Sequence, residues 1–474
     1  MKSRFLIVIV AMLLAAPLGS SQAPAGGAER AVLFTNAWLI DGTGADVVEN
    51  AWIRIEGGKV VAKGRGAPPS VAGATVLDLK GKTVLPGLAD MHVHLGGLDQ
   101  AKWMLKLLAA HGVTNIKDAG NTLGNLAAIR KWVAGDPALP HLYVSGVTMN
   151  GSEQQLQFLP AGPRTRGLLE DNLAFGVDFL KIHNWVSSFA LKQISEFATA
   201  HDLYLTGHVP LGVTSVAAID AGMKILEHVR VHPQEILDDP AEVAEYPLDL
   251  VVMRRTGDWS LFKPDGRAVT RTLDEWQKRK DRFFLDPTLA VQEALARADE
   301  PAVKDGRGLG LISPAMRQNW PAGTRQYGDL SPQERLRAKG SVQGMIAFVG
   351  LAHKRGIRIL SGTDTPVPYT IPGVSLLREL ELLVKAGLTP VEAIHSSTGG
   401  AAEALRNKTR GVVAAGQEAD LIVVDGNAAA DIAAVQRIER VVIGGRIYDR
   451  ARLLEEAATL AAAHQGRTFP GAIN

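Results

Sequence analysis

The sequence predicts an α/β protein: a (β/α)8 TIM-like barrel with a small β-sandwich formed from both chain ends. Three observations predict it. Short apolar strand candidates recur through the middle of the chain, starting near Val84, Val113, Leu142, Val177, Leu203, Lys224, Phe283 and Ile357. Most are followed by a helix-like stretch such as "AKWMLKLLAAHG" or "ALKQISEFATAHD", the alternation that builds a parallel sheet with helices outside. β-type texture brackets this middle on both sides. The third observation is size: 474 residues, 46% of them hydrophobic, exceed one ordinary core but suit a large barrel with a smaller companion.

The first element is a targeting segment. Lys2 and Arg4 precede an apolar run from Phe5 to Ala16, too short to span a bilayer, and Ala23-Pro24-Ala25 offers small residues for a signal peptidase. Residues 1–25 therefore read as a cleaved secretory signal, with an N-terminal membrane anchor as the alternative. The chain has no cysteine, which removes both disulfides and a lipid-anchored form that needs one. The expectation is a secreted or periplasmic protein with no stable membrane association after cleavage.

The mature chain opens in β pattern. "AVLFTNAWLIDGTG" runs into a turn, "AWIRIEGGKVVAKG" reads as a hairpin about Gly57-Gly58, and "TVLDLKGKTVLPG" repeats strand-turn-strand. "EADLIVVDGN" and "IERVVIGGRIYDR" return to the same texture near the other end. These segments, 30–83 and 408–450, form the expected sandwich. Residues 84–407 form the barrel. Ala451–His464 reads as a helix within a terminal stretch of 451–474. Long gaps, Val229 to Phe283 and Glu293 to Arg355, read as insertions on the catalytic face. Trp259, Trp276 and Trp320 lie in them, either walling a pocket or, more commonly for such residues, packing the insertion down.

Charge is balanced, 51 basic against 49 acidic residues, so nothing favours a nucleic acid or another polyanion as partner. A small-molecule substrate is the expected partner. Apolar helix faces would be compatible with a homo-oligomer.

The chemistry-bearing residues fall at one level. In such barrels catalytic groups sit at the C-terminal strand ends. His92 and His94 end the first strand in "LPGLADMHVHL"; residues two apart on a strand face the same side, so both imidazoles reach one ion. Lys181 ends the fourth strand, His208 the fifth, His228 the sixth and Asp364 the eighth. Taken singly, each histidine is more often a hydrogen-bonded core residue, Asp364 a turn cap and Lys181 a snorkelling lysine. Six such groups at one rim are costly unless paired or metal-bound, and a metal site is the economical reading.

These residues, with "LIDGTG", "EHV" and "GTD", resemble the amidohydrolase superfamily of metal-dependent hydrolases over roughly Leu33 to Arg450. The narrower likeness is to the branch of imidazolonepropionase-like proteins, Xaa-Pro dipeptidases and ochratoxin-hydrolysing amidases, which has a lysine at the fourth strand. The resemblance implies two divalent ions, zinc being the usual metal, bridged by an N6-carboxylated Lys181. His92, His94 and Asp364 would hold the buried ion, and His208 and His228 the exposed one. A metal-bridging hydroxide would attack the carbonyl carbon of a C–N (amide) bond, Asp364 would take and return the proton, and His228 would help hold the carbonyl oxygen. An unmodified Lys181 would leave a single-metal site as the fallback.

The loops leave the substrate open. "HNWVSS" after Lys181 lacks the Gly-rich turn of the dipeptidases, and "TMNGSEQQLQF" after the third strand is polar. Arg230 and His232 would grip a substrate carboxylate or pair with Asp238-Asp239. His183 would line the pocket or, the commoner case, pack on a helix. His111, His201 and His353 lie on the opposite rim and read as structural. The first expectation is hydrolysis of an N-acyl amino acid or dipeptide. The alternatives are a cyclic amide, lactone or xenobiotic amide at the same site, or a non-catalytic exported binding protein.

Overall fold

The computed structural model describes residues 30–464 except 153, 246–258, 305, 307 and 324–330. The expected signal segment therefore lies outside the described residues. Among the described residues, no helix is long and apolar enough to cross a membrane.

The middle of the chain carries the expected alternation. Eight parallel strands are β6 (Leu88–Val93), β7 (Val113–Asp118), β8 (His141–Val144), β9 (Leu180–Ile182), β10 (Leu205–Gly207), β11 (Met223–Glu227), β12 (Phe284–Asp286) and β13 (Arg358–Ile359). They hydrogen-bond as a three-stranded sheet, β6-β7-β8, and a five-stranded sheet, β9 to β13. The edges of the two sheets meet through single bridges, Val93 with Thr365 and Met149 with Ile182, rather than through a continuous ladder.

Helices follow the strands: α1 (Leu98–Ala110) after β6, α2 (Leu123–Val133) after β7, α3 (Pro163–Phe175) after β8, α4 (Ser188–Ala200) after β9 and α5 (Ser215–Asp220) after β10. Their starts are written locally. Thr122, Ser187 and Thr214 each accept a hydrogen bond from the amide three residues on, satisfying one of the orphan donors of the first turn. The described residues of both insertions include helices, among them Arg267–Gln277 and the 23-residue helix Pro332–Lys354. Trp259, Trp276 and Trp320 are all buried in the main core, which is the packing role rather than the pocket wall. Trp276 also donates to Ser215 Oγ at 2.7 Å.

The chain ends depart from the expected sandwich. β1 (Val32–Leu39), β2 (Val48–Glu56), β3 (Lys59–Arg65), β4 (Thr75–Asp78), β5 (Lys82–Pro86), β14 (Leu421–Asp425), β15 (Ile438–Ile443) and β16 (Arg446–Tyr448) are bonded as one eight-stranded mixed sheet. The reason is β5, which pairs with β1 on one side and β14 on the other, so strands from both ends join one ladder. The sheet curls. Gly416 to Ala419, feeding β14, bonds back to Gly58 and Val60 beside β3, and Phe34, Ile53, Val60, Leu421 and Val442 fill a core of their own. Gly87 is the hinge to β6. A Cβ there would collide with the Thr114 side chain, so only glycine lets the chain pass between the sheets. The C-terminal helix Arg450–Ala463 lies on α1, where Lys106 binds Glu456 and Asp136, each at 2.7 Å, and Arg450 caps Ala110 O at 3.0 Å.

Candidate metal centre

The site is built from strand ends. Inside the strands, Phe179, Tyr204, Ile225, Phe284 and Leu360 make an apolar layer. Two residues further along β11 and β12 the same inward face carries Glu227 and Asp286, both fully buried. The next residues turn sharply. His228, Thr288 and Asp364 all have left-handed backbones, φ 61°, 47° and 58°, a conformation that costs non-glycine residues energy and gathers at functional sites. Gly207 before His208 serves the same end: a Cβ there would strike Ile182 O, and the His208 amide donates to that carbonyl at 3.1 Å.

The six expected ligands converge. His94 Nε2 and His92 Nε2 lie 3.0 and 3.4 Å from Asp364 Oδ1. His228 Nε2 faces His208 Nε2 at 3.0 Å, two ring nitrogens competing for one proton or sharing one ion. Ligand atoms of His92, His228 and Asp364 lie within 4.8 Å of one another. Lys181 joins the group through Glu227, whose Oε2 meets the Lys181 amine and stands 3.5 Å from His92 Nδ1. The other expected substrate contacts divide. His183 is buried with its ring 4.1 Å from that of His208, so it lies at the centre and does not pack on a helix. Arg230 donates to Asn184 Oδ1 at 3.1 Å, beside the centre. His232 is turned to another use: it caps the short helix Pro233–Glu235, with Glu235 closing the capping box. Asp238 caps Arg267 and Ala268, and Asp239 bonds Ala241, so the acidic run serves helix ends.

Electrostatics prepare the centre for a cation. Burial, with Lys181 nearby, pushes His92 well below the ordinary imidazole range. Burial does the same to His208 and His183, and it brings His228 down to about 3. Burial alone would raise Asp364, but the His94 hydrogen bond and neighbouring positive charges outweigh it and keep the carboxyl below its usual range. Neutral imidazoles and an ionised carboxylate are the protonation states metal ligands require. His183 Nδ1 points the same way: it is buried without a hydrogen-bond partner. The residues present fit one or more divalent ions.

Sequence reasoning missed the shell around these ligands. Asn184 Oδ1 accepts from His208 Nδ1 at 2.8 Å, and Thr288 Oγ1 lies 2.5 Å from His228 Nδ1, which leaves both Nε2 atoms for an ion. Asp90 accepts from the His92 and Thr363 amides and the Thr363 hydroxyl, and burial raises it to about 7. Glu227, Lys117 and Asp286 are charged residues within largely apolar strands, as in "NIKD", "KILE" and "FFLD". That was the available signal.

Comparison with known proteins agrees with this geometry. A family model described as the amidohydrolase family matches residues 83–448. The imidazolonepropionase of Geobacillus kaustophilus is 26% identical over 447 residues, covering 85% of this chain and 90% of that protein. A dihydroorotase of Leifsonia xyli is 36% identical over 95 residues, covering 19% of this chain and 20% of that protein. Among solved structures, bottromycin amidohydrolase superposes with TM-score 0.69 at 21% identity, covering 94% of each chain. An Xaa-Pro dipeptidase with bound methionine superposes with TM-score 0.65 at 18% identity, covering 88% of this chain and all of the other. These structural likenesses bear on the fold and imply a TIM-like barrel.

Proposed function

The chain belongs to the amidohydrolase family, hydrolases that act on carbon–nitrogen bonds, and from that premise we propose that it is an exported enzyme cleaving the amide bond of a small molecule such as an N-acyl amino acid or dipeptide. The observation that carries the reading is the convergence of His92, His94, His208, His228 and Asp364 on one point at the strand ends.

In this reading His92, His94 and Asp364 would hold a buried divalent ion and His208 and His228 a second, with zinc the expected metal. Lys181, carboxylated on its amine, would serve both as a ligand. Its amine lone pair attacks carbon dioxide, an N–C bond forms, one amine proton leaves to solvent, and one N–H remains. Burial lowers the Lys181 amine, which favours the neutral nucleophile over the ammonium. Divalent ions, when bound, would make a hydroxide available near neutral pH and would polarise a carbonyl oxygen. Asp364, kept ionised beside His94, takes the proton of the attacking water and returns it to the leaving nitrogen. Arg230, braced on Asn184, faces a carboxylate of the substrate from the rim.

Metal analysis and an amidase panel on wild type and Lys181→Ala test this. About two ions per chain, falling in the variant together with activity, are expected. One ion or none, with the variant unchanged, rejects the two-metal reading. A second reading, a cyclic amide, is favoured by the relatives named imidazolonepropionase and dihydroorotase. Turnover of ring amides with no turnover of N-acyl amino acids or dipeptides would select it.

A further inference from the structure

Glu227 is heavily engaged beneath the centre, and the reaction outlined above gives it no part. Its carboxylate is fully buried and accepts from three sides. Lys117 Nζ and Thr206 Oγ1, the latter at 2.7 Å, both meet Oε1, while Lys181 Nζ meets Oε2. Lys117 is itself fixed. It is fully buried, donates to Met91 O at 3.1 Å and stands 5.0 Å over the Phe179 ring. A buried lysine committed to one carboxylate oxygen leaves the other oxygen with a fixed direction, and that direction is the Lys181 nitrogen. Glu227 comes from β11, the strand that also delivers His228, and Lys117 from β7, so the brace ties the lysine to two other strands.

We propose that Glu227, braced by Lys117 and Thr206, is a positioning residue that accepts the one N–H left on carboxylated Lys181. The inference rests on the carbamate reading above. A carbamate is planar, so anchoring its N–H at Oε2 sets the plane and fixes the directions of its two carboxylate oxygens. An unanchored carbamate would rotate about the lysine Cε–Nζ bond and would also bring a second anion toward Glu227. The Lys117 ammonium keeps Glu227 and the carbamate from standing as two uncompensated negative charges in one buried layer.

The test uses the full metal-loaded protein equilibrated with 13C-bicarbonate, reading the carbamate carbon by NMR and metal content by elemental analysis. Two charge-balanced double variants are compared, Lys117→Met with Glu227→Gln and Lys117→Met with Glu227→Leu. The glutamine keeps an acceptor at the same reach and the leucine does not. The expected result is a carbamate signal and bound metal in the glutamine double variant, with at least about a tenfold loss of metal affinity and no signal in the leucine one. Equal signals in both would overturn the proposal, as would loss in both when both melt like wild type. Thr206→Val, which removes one brace with little change of volume, guards against misfolding of the doubles. Its carbamate should exchange with bicarbonate several-fold faster, and unchanged exchange would also overturn the proposal. A wild-type protein with metal but no carbamate signal would instead remove the carbamate reading itself.

Discussion

Single residues decide whether the centre can hold an ion. Thr288 shows how. Its hydroxyl takes the Nδ1 side of His228 and so presents Nε2 to the centre. Thr288→Val should weaken metal binding by about 10–100-fold with the fold intact, measured by chelator competition, and an unchanged affinity would remove the tautomer role. Asp364→Asn should lower kcat by about 10²-fold or more, because the amide cannot accept the proton; a rate within a few-fold of wild type would dismiss it as the base. His111 is a stability residue rather than a catalytic one. It donates to Leu107 O at 2.8 Å at the end of α1, and burial lowers it to about 4. A buried imidazole with a depressed value stays neutral in the folded chain, while the unfolded chain binds the proton near pH 6.5. Its contribution is therefore full above pH 6.5 and is lost as pH falls toward 4, about 3 kcal/mol in all. His111→Gln should flatten the fall in urea midpoint between pH 7 and pH 4.5 relative to wild type; a parallel fall would refute the assignment.

At the scale of elements, the helix Leu289–Ala296 shows tertiary structure replacing a local signal. Its N-cap residue is Thr288, whose left-handed backbone and His228 contact leave it no capping bond. Glu379, fully buried on the distant helix Val374–Ala386, caps it instead, accepting from Leu289 N at 2.9 Å and Ala290 N at 2.6 Å. Thr288 is thereby freed for the metal centre. Glu379→Ala strands two buried amides and should cost about 1–3 kcal/mol in denaturant unfolding. It should also weaken metal binding, since the turn carrying Thr288 loses its anchor. Lost stability with unchanged metal affinity would separate the cap from the centre. The strand ends were legible because apolar runs stop at polar residues, and the caps at Thr122, Ser187 and Thr214 because they act within three residues. The Glu379 cap was not, because its partners lie about ninety residues away.

For the whole molecule, a bound ion would act as a clamp. The residues that would hold it come from strand ends in both parallel sheets, whose backbones join at single bridges. Ions bound there should stabilise the folded chain by about 4 kcal/mol at a thousandfold excess over Kd. The measurement is Tm with and without chelator, together with re-addition of zinc. A Tm indifferent to chelator would show that the ions do not hold the two sheets together.

The sequence by itself determined the alternation of strands and helices, the strand ends that carry His92, His94, Lys181, His208, His228 and Asp364, and membership of the family, because each is a pattern within a short stretch of chain. It left His183 and His232 open between lining the site and a structural role, and the fold places His183 beside His208 and His232 at a helix cap. Both are polar residues just past a strand, and only the path of the following loop decides whether such a side chain turns inward or caps a helix. That both chain ends build one β-unit was expected from their texture; that they hydrogen-bond in a single sheet was a tertiary outcome, since it depends on β5 finding partners on both sides. So was the buried set of Lys117, Glu227 and Thr206 under Lys181. A charge inside a largely apolar strand has no stable meaning until the fold brings its counter-charge from another strand, and that pairing is long-range.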